Sequence, residues 1–321
     1  RQRQMCIRDS PKGVTLTVLG TLTVQGTLIN NGTFVDVNGV THAGNGLKES
    51  PYQIPDLTTL VYYRDKINGN DADAGSYRSA HYELTADIDM SETYHSGENG
   101  QSWTPIGSYS IQFSGNFNGN HKTISNLYIY NTNSTHVGLF GYTDNAVITN
   151  LHIKNANISN TNCSSIGGVV GYCVNGSISG CSFSGSISSS SASAGGIVGY
   201  VKGTTITQCT VSGAVNGSSA GGIVGHAEGT ISYCSSYASV VAKYNAGGIV
   251  GDLSGSVEYC HSNEGVSHHY PGGYSGGIVG RMSGAPYSTY TIQSCYSLSQ
   301  GTGGAIIGNT QVDAVSYTHL T

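Results

Sequence analysis

His226, Asp252 and Arg281 each stand immediately after the last glycine of a Gly-Gly-Ile-Val-Gly block. If the blocks stack on one another, an imidazole, a carboxylate and a guanidinium fall on consecutive turns. These are the side-chain types of an acid/base pair with a cationic stabiliser. Tyr142, Tyr172 and Tyr200 hold the same position after earlier blocks, and Asn309 holds it after the last. The competing reading is therefore an outward ladder of stacked tyrosines running into a solvated ion pair, a contact worth about 0–1 kcal/mol. Alternation favours this second reading. Ile223 with Ala227, and Ile249 with Leu253, flank the slot at apolar positions, so the residue between them faces outward. The same alternation turns Val198, Val224 and Val250 outward too, unless a bend brings them inside.

Other residues with chemical potential are scattered. From 142 to 308 the carboxylates are Asp144, Glu228, Asp252, Glu258 and Glu264, which do not recur in one slot. Paired acid and base groups need to be held in one place. Asn68, Asn70, Asp71 and Asp73, and separately Asp87 with Asp89, are rich in oxygen ligands of the kind calcium prefers, but neither has the full spaced loop pattern, and polar turns account for them. Trp103 could stack on a sugar or pack a turn beside Pro105. No His-Glu-x-x-His motif and no strand-turn-helix serine elbow is present. No metal, cofactor or catalytic residue is expected.

Seven of the eight cysteines fall in the repeats. Cys181, Cys209, Cys234, Cys260 and Cys295 share one slot, three residues after Ile178, Ile206, Ile231, Val257 and Ile292. Ile148 with Leu151, and Ile124 with Leu127, read as earlier copies. A slot that accepts Leu is a core slot, and free Cys behaves as a small buried hydrophobe. A stacked interior thiol ladder is expected, with a buried serine at 209 costing roughly 1–3 kcal/mol for want of a partner, more than alanine. Cys173 aligns with Val201 and Ala227, another apolar slot. Cys163 has no equivalent and reads as a turn residue with a reactive thiol.

The elements that must position these residues follow from the repeat. Blocks of the form Gly-Gly-apolar-apolar-Gly end at Gly171, Gly199, Gly225, Gly251 and Gly280, with looser copies ending at Gly141 and Gly308; the spacings are 30, 28, 26, 26, 29 and 28 residues. Two short β-rich runs per repeat, separated by Gly, Ser and Asn, describe the rung of a solenoid. The fold class expected is all-β, a right-handed parallel β-helix. Residues 137–308 should form about seven rungs at ~4.8 Å each, with the motif glycines in one column. Asp56 is placed to cap a helix over 56–68 whose Leu57, Leu60, Val61 and Ile67 share a face; it is expected to cover the N-terminal end of the solenoid.

On these blocks, together with LTADIDM at 84–90, WTPIG at 103–107 and FSGNFNGNHKTISNLYI at 113–129, the chain resembles the GLUG-motif repeats of bacterial surface proteins over residues 52–308. The resemblance implies a right-handed β-helix, an extracellular or cell-surface location, and an adhesin-like spacer or a face for glycan or protein. The contact residues expected are Tyr142, Tyr172, Tyr200, His226, Asp252 and Arg281. Alternatives are a β-helix polysaccharide lyase or hydrolase, or an accessory region of a larger surface protease.

The domain organisation expected is a short strand repeat at 11–39, a linker at 40–51, a cap and first rungs at 52–136, the repeats at 137–308 and a tail at 309–321. Residues 1–10 and 315–321 resemble translated sequencing-adapter read-through, which would make the frame a fragment of a longer chain, as in a metagenomic gene. Without Arg1, Arg3, Arg8 and Asp9 the balance is ten basic to seventeen acidic residues, net −7 against −5 for the whole. That excludes a basic surface for nucleic acid. Charged residues are 10% of the chain, against about 25% in a typical domain. Residues 155–201 carry no charge, yet they are Ser, Gly and Asn rather than an apolar run, so no membrane span is expected.

Overall fold

A computed structural model describes residues 15–17, 33–35, 38–283, 290–298, 306–310 and 315–318. The expected read-through at 1–10, with Cys6, lies outside them. Of the segment 315–321, residues Val315–Thr318 form a strand in parallel register with Tyr290–Gln293.

The chain winds into a parallel β-solenoid of about nine turns. One column of in-register residues runs Tyr52, Tyr82, Phe117, Ile148, Ile178, Ile206, Ile231, Val257 and Ile292, turn above turn. The helix therefore begins well before the first glycine block. Between the first two turns, at Tyr52–Ile54 and His81–Leu84, the chain leaves the solenoid to form α1 (Leu57–Asn68) and α2 (Ala74–Arg78). Asp56 caps α1, its Oδ1 accepting from Thr59 N at 2.8 Å. Leu60, Tyr63 and Ile67 are buried. Tyr63 stacks on Tyr52 of the first turn at 4.8 Å and meets Tyr82 of the second at 5.3 Å, so α1 covers apolar rings that the first turn would otherwise leave open. The short α2 had no sequence signal.

Residues 40–51, expected as a linker, contain a strand instead. Thr41–Ala43 pairs antiparallel with Thr33–Val35, which pairs parallel with Thr15–Thr17. Val40 and Ala43 are buried, and Thr41 N donates to Thr59 Oγ1 at 3.0 Å. Docking against α1 satisfies a backbone donor that a free linker would leave to water.

The core of a single turn can be followed from Val198 to Ile223. Val198, Val201, Thr204, Ile206, Cys209, Val211, Val215, Ala220 and Ile223 all point inward. Val198 is inside because the chain bends at Gly196 and Ile197, which breaks the alternation and buries two consecutive apolar residues; Val224 and Val250 follow the same path. Glycine is required at that bend. A Cβ on Gly195 would lie 2.1 Å from Val198 O, and one on Gly199 2.5 Å from Ile166 N. The apolar residue before each last motif glycine pairs with its equivalent in the next turn, from Phe140 through Val170, Val198, Val224, Val250 and Val279 to Ile307. Gly141, Gly171, Gly199, Gly225, Gly251, Gly280 and Gly308 thus stand in one column, which Ile106 and Gly107 extend one turn lower.

A second column explains why Ile and Cys, three residues apart, both face inward. The residue before each Cys or Leu is left-handed: Asn150, Gly180, Gln208, Tyr233, Tyr259 and Ser294 have φ of 52°, 63°, 55°, 54°, 52° and 51°. On a straight strand an odd spacing would put the two side chains on opposite faces. The left-handed residue turns the corner between two faces and resets the alternation.

That column also corrects the alignment of the earliest repeat. Phe117 pairs with Ile148, while Ile124 pairs with Ile153 and Lys122 with Leu151. Leu127 is buried but does not occupy the cysteine slot. Two successive left-handed residues, Asn120 and His121, take up extra chain at this corner and displace the pattern.

Candidate functional site

The slot after the glycine column forms a continuous ladder. Tyr142, Tyr172, Tyr200 and His226 stack with ring centroids 5.0, 4.6 and 4.4 Å apart and planes within 3°, 3° and 9° of parallel. Such spacing with parallel planes is the offset arrangement that aromatic rings prefer over a face-to-face sandwich. His136 lies against Tyr142 and Tyr172 at 5.4 and 5.0 Å, and Tyr109 places its edge on Tyr142. Tyr142 is consequently buried, and Tyr172 and Tyr200 are half-buried.

Above His226 the column continues through Asp252 to Arg281. The pair was expected on the open surface, but Asp252 is only 2% exposed. Its side chain does point away from the core, yet it is enclosed on every side. His226 lies below, Arg281 above, and Asn245 reaches across from the preceding corner of the same turn. Arg281 Nε donates to Asp252 Oδ2 at 3.1 Å, Arg281 Nη2 donates to the same oxygen, Asn245 Nδ2 approaches it at 3.4 Å, and Ser283 Oγ donates to Oδ1. The second carboxylate, Glu228, accepts from the Tyr200 hydroxyl and lies 3.7 Å from His226 Nε2.

Burial lowers the pKa of His226, overriding the pull of Asp252 and Glu228 toward the charged form, and Arg281 adds to the lowering. Burial, then the bond to Glu228, pushes the Tyr200 phenol well above its ordinary range. The arrangement favours a neutral imidazole between two carboxylates whose contacting oxygens are already engaged.

Several of the remaining candidates are spent on structure. Asn68 bridges Pro105 O and Gly107 N, at 2.9 and 2.7 Å, and Asp71 pairs with Lys66 at 3.2 Å. Asp87 accepts from Thr123 N, and Asp89 from Ser91 N and Asn126 Nδ2. Among the described residues no three His, Cys, Asp or Glu side chains converge as metal ligands. Trp103 is buried, donates Nε1 to Leu139 O at 3.1 Å and carries the Arg64 guanidinium over its ring at 4.6 Å. It is unavailable to a sugar.

The seven described cysteines are free and buried. The laddered thiols approach the carbonyl two residues back, across the left-handed corner, as in Cys209 Sγ to Thr207 O at 3.3 Å and Cys234 Sγ to Ser232 O at 3.2 Å. A serine at 209 would therefore find an acceptor, contrary to the expectation of an unpartnered hydroxyl. Cys163, expected to be reactive, is buried beside Asn160 O and Ser189 Oγ, and burial raises its pKa.

One solved structure supports the fold. The crystal structure of a candidate immunoglobulin A1 protease from Bacteroides ovatus superposes with a TM-score of 0.50 at 19% identity, covering 84% of this chain and 86% of that one. No family model matches. Halomucin of Haloquadratum walsbyi is 39% identical over 126 residues, 38% of this chain, and a candidate Gly-rich membrane protein of Evansella cellulosilytica is 31% identical over 117 residues, 36% of this chain. The match spans 1% and 12% of those two proteins. Among the described residues no helix is long and apolar enough to cross a membrane.

One group of surface residues escaped sequence reasoning. Tyr233, Tyr237, Tyr259 and Tyr296 are exposed; Tyr233 stacks on Tyr259 at the left-handed corner, and Tyr237 and Tyr296 both lie against His261 on the strands that follow it. The signal was present, since Tyr233 and Tyr259 each directly precede a slot cysteine, but the outward direction of that position depends on the corner's backbone.

Proposed function

We propose that this chain is a non-catalytic module of a larger secreted or cell-surface protein, a GLUG-type solenoid that acts as a rigid spacer and offers a lateral face to glycan or protein. The observation that carries the reading is the state of Asp252 and Glu228. Among the described residues, the two carboxylates beside His226 have the oxygens that face it engaged, Asp252 by Arg281, Asn245 and Ser283 and Glu228 by Tyr200, which supports a structural rather than an acid/base role for the group. The surface setting is supported by the names of the two relatives, a mucin and a membrane protein. Twenty-two tyrosines on a chain with few charges suit a contact surface.

The test is to incubate the full chain with alginate, polygalacturonate and neutral glycans, and to follow unsaturated products and new reducing ends. No turnover above a heat-denatured control is expected. Sustained product release that disappears in Asp252→Asn, with the fold intact, would overturn the reading in favour of a β-helix lyase or hydrolase.

A further inference from the structure

We propose that the corner bearing Tyr233 and Tyr259 is a binding site for a neutral polysaccharide, laid along the solenoid axis so that successive sugars meet successive turns. The proposal rests on the non-catalytic surface reading and names its ligand class and site. Tyr233 and Tyr259 lie with centroids 4.9 Å apart and planes 5° from parallel. Contacting carbons sit about 3.5–4.0 Å apart, so the two rings are slipped past each other and part of each face stays open. Both side chains are substantially solvent-exposed. The backbone does not ask for a ring here: the same left-handed slot holds Asn150 and Gly180 in earlier turns. A bulky residue at positive φ is unusual and carries a backbone cost, and such cost gathers where a ligand is held.

The surroundings match a pyranose better than other partners. A sugar ring presents an apolar C–H face bordered by hydroxyls. Glu258 directly precedes Tyr259 in the chain, and His261, two residues after it, stacks on Tyr296 at 5.1 Å. Tyr237 Oη lies 3.0 Å from His261 Nε2 and Ser235 Oγ 3.2 Å from Nδ1, which fixes the imidazole edge. Turns are about 4.8 Å apart, close to the advance of one sugar residue in an extended chain. Glu258, next to Tyr259 in the chain, and a net charge of −5 disfavour acidic polysaccharides and nucleic acid. A protein partner would seek a desolvated apolar centre with anchor pockets, whereas Tyr233 and Tyr259 are exposed.

The experiment measures retention of the full chain on immobilised β-glucan, xylan, mannan, galactan and chitin, with polygalacturonate as the acidic comparison, followed by titration with oligosaccharides of whichever is bound. Binding to at least one neutral glycan and none to polygalacturonate is expected. The double variant Tyr233→Asn, Tyr259→Asn should weaken binding at least tenfold with an unchanged circular dichroism spectrum, because Asn tolerates the left-handed backbone and already stands at 150. Tyr244→Asn with Tyr270→Asn, a pair exposed at another corner, should leave affinity unchanged. Retention on none of the neutral glycans, a preference for polygalacturonate, or full affinity in the first double variant would each overturn the site. None of those outcomes bears on the absence of catalysis, which only product release can refute.

Discussion

Asp252 and Arg281 form an ion pair whose two halves differ in their access to water. The carboxylate is 2% exposed, while the guanidinium side chain keeps 32% of its surface. Asp252 is held from above by Arg281 and Ser283 and from the side by Asn245, with His226 Nδ1 4.0 Å below.

The asymmetry predicts unequal costs for breaking the pair. Arg281→Met leaves a buried carboxylate without its counter-charge and should lower stability by about 3 kcal/mol. Asp252→Asn keeps the side-chain shape and frees an arginine that can turn to solvent, so it should cost less, roughly 1–2 kcal/mol. Urea denaturation of both variants checks this. A loss below half a kilocalorie in both, the behaviour of an open surface pair, would contradict the burial.

Acid should destabilise the solenoid through its half-buried imidazoles. Burial lowers the pKa values of His136, His152 and His226. The unfolded chain therefore binds protons at higher pH than the folded one, so the stabilising contribution is complete above the unfolded value of about 6.5 and is lost as pH falls through the lower folded values. Thermal midpoints measured from pH 8 to pH 5 should decline below that point, and His226→Gln should flatten part of the decline. A midpoint that rises on acidification would refute the sign.

Glycine matters in the motif column for reasons of space. A Cβ on Gly225 would lie 2.5 Å from Ala194 N and 2.7 Å from Gly199 O, both backbone atoms that cannot move aside cheaply. Gly225→Ala should cost about 3 kcal/mol through overpacking. Gly265 has nothing within 4 Å of its would-be Cβ, and Gly265→Ala should stay within about 0.5 kcal/mol. Chemical denaturation of the two variants reads the contrast directly.

The described thiols should be inert in the folded protein. Cys163, Cys173 and the five laddered cysteines are buried and free, and reactivity needs an accessible thiolate. Iodoacetamide at neutral pH should label none of the seven until denaturant is added, and reductant should leave the melting temperature unchanged. Rapid native labelling at Cys163 would restore the expectation of a reactive turn thiol.

The spacing of the glycine blocks was enough to place Tyr142, Tyr172, Tyr200, His226, Asp252 and Arg281 in one column, because parallel strands that repeat in register must stack equivalent residues. It was also enough to assign a parallel β-helix, and the apolar spacing after Asp56 was enough to read that residue as a helix cap, since both depend on local periodicity and local hydrogen bonding. Three matters needed the tertiary structure. Asp252 is buried because Asn245 and Arg281 close over it from other parts of the helix. Val198 faces inward because the chain bends at Gly196, where the next turn passes too close for a side chain. Ile124 pairs with Ile153, and Tyr233 and Tyr259 stand outward, because left-handed residues at the corners reset which side of the strand a side chain occupies. Alternation in a sequence counts residues; it does not record where the backbone turns, and in a solenoid the corners decide what is inside and what meets the solvent.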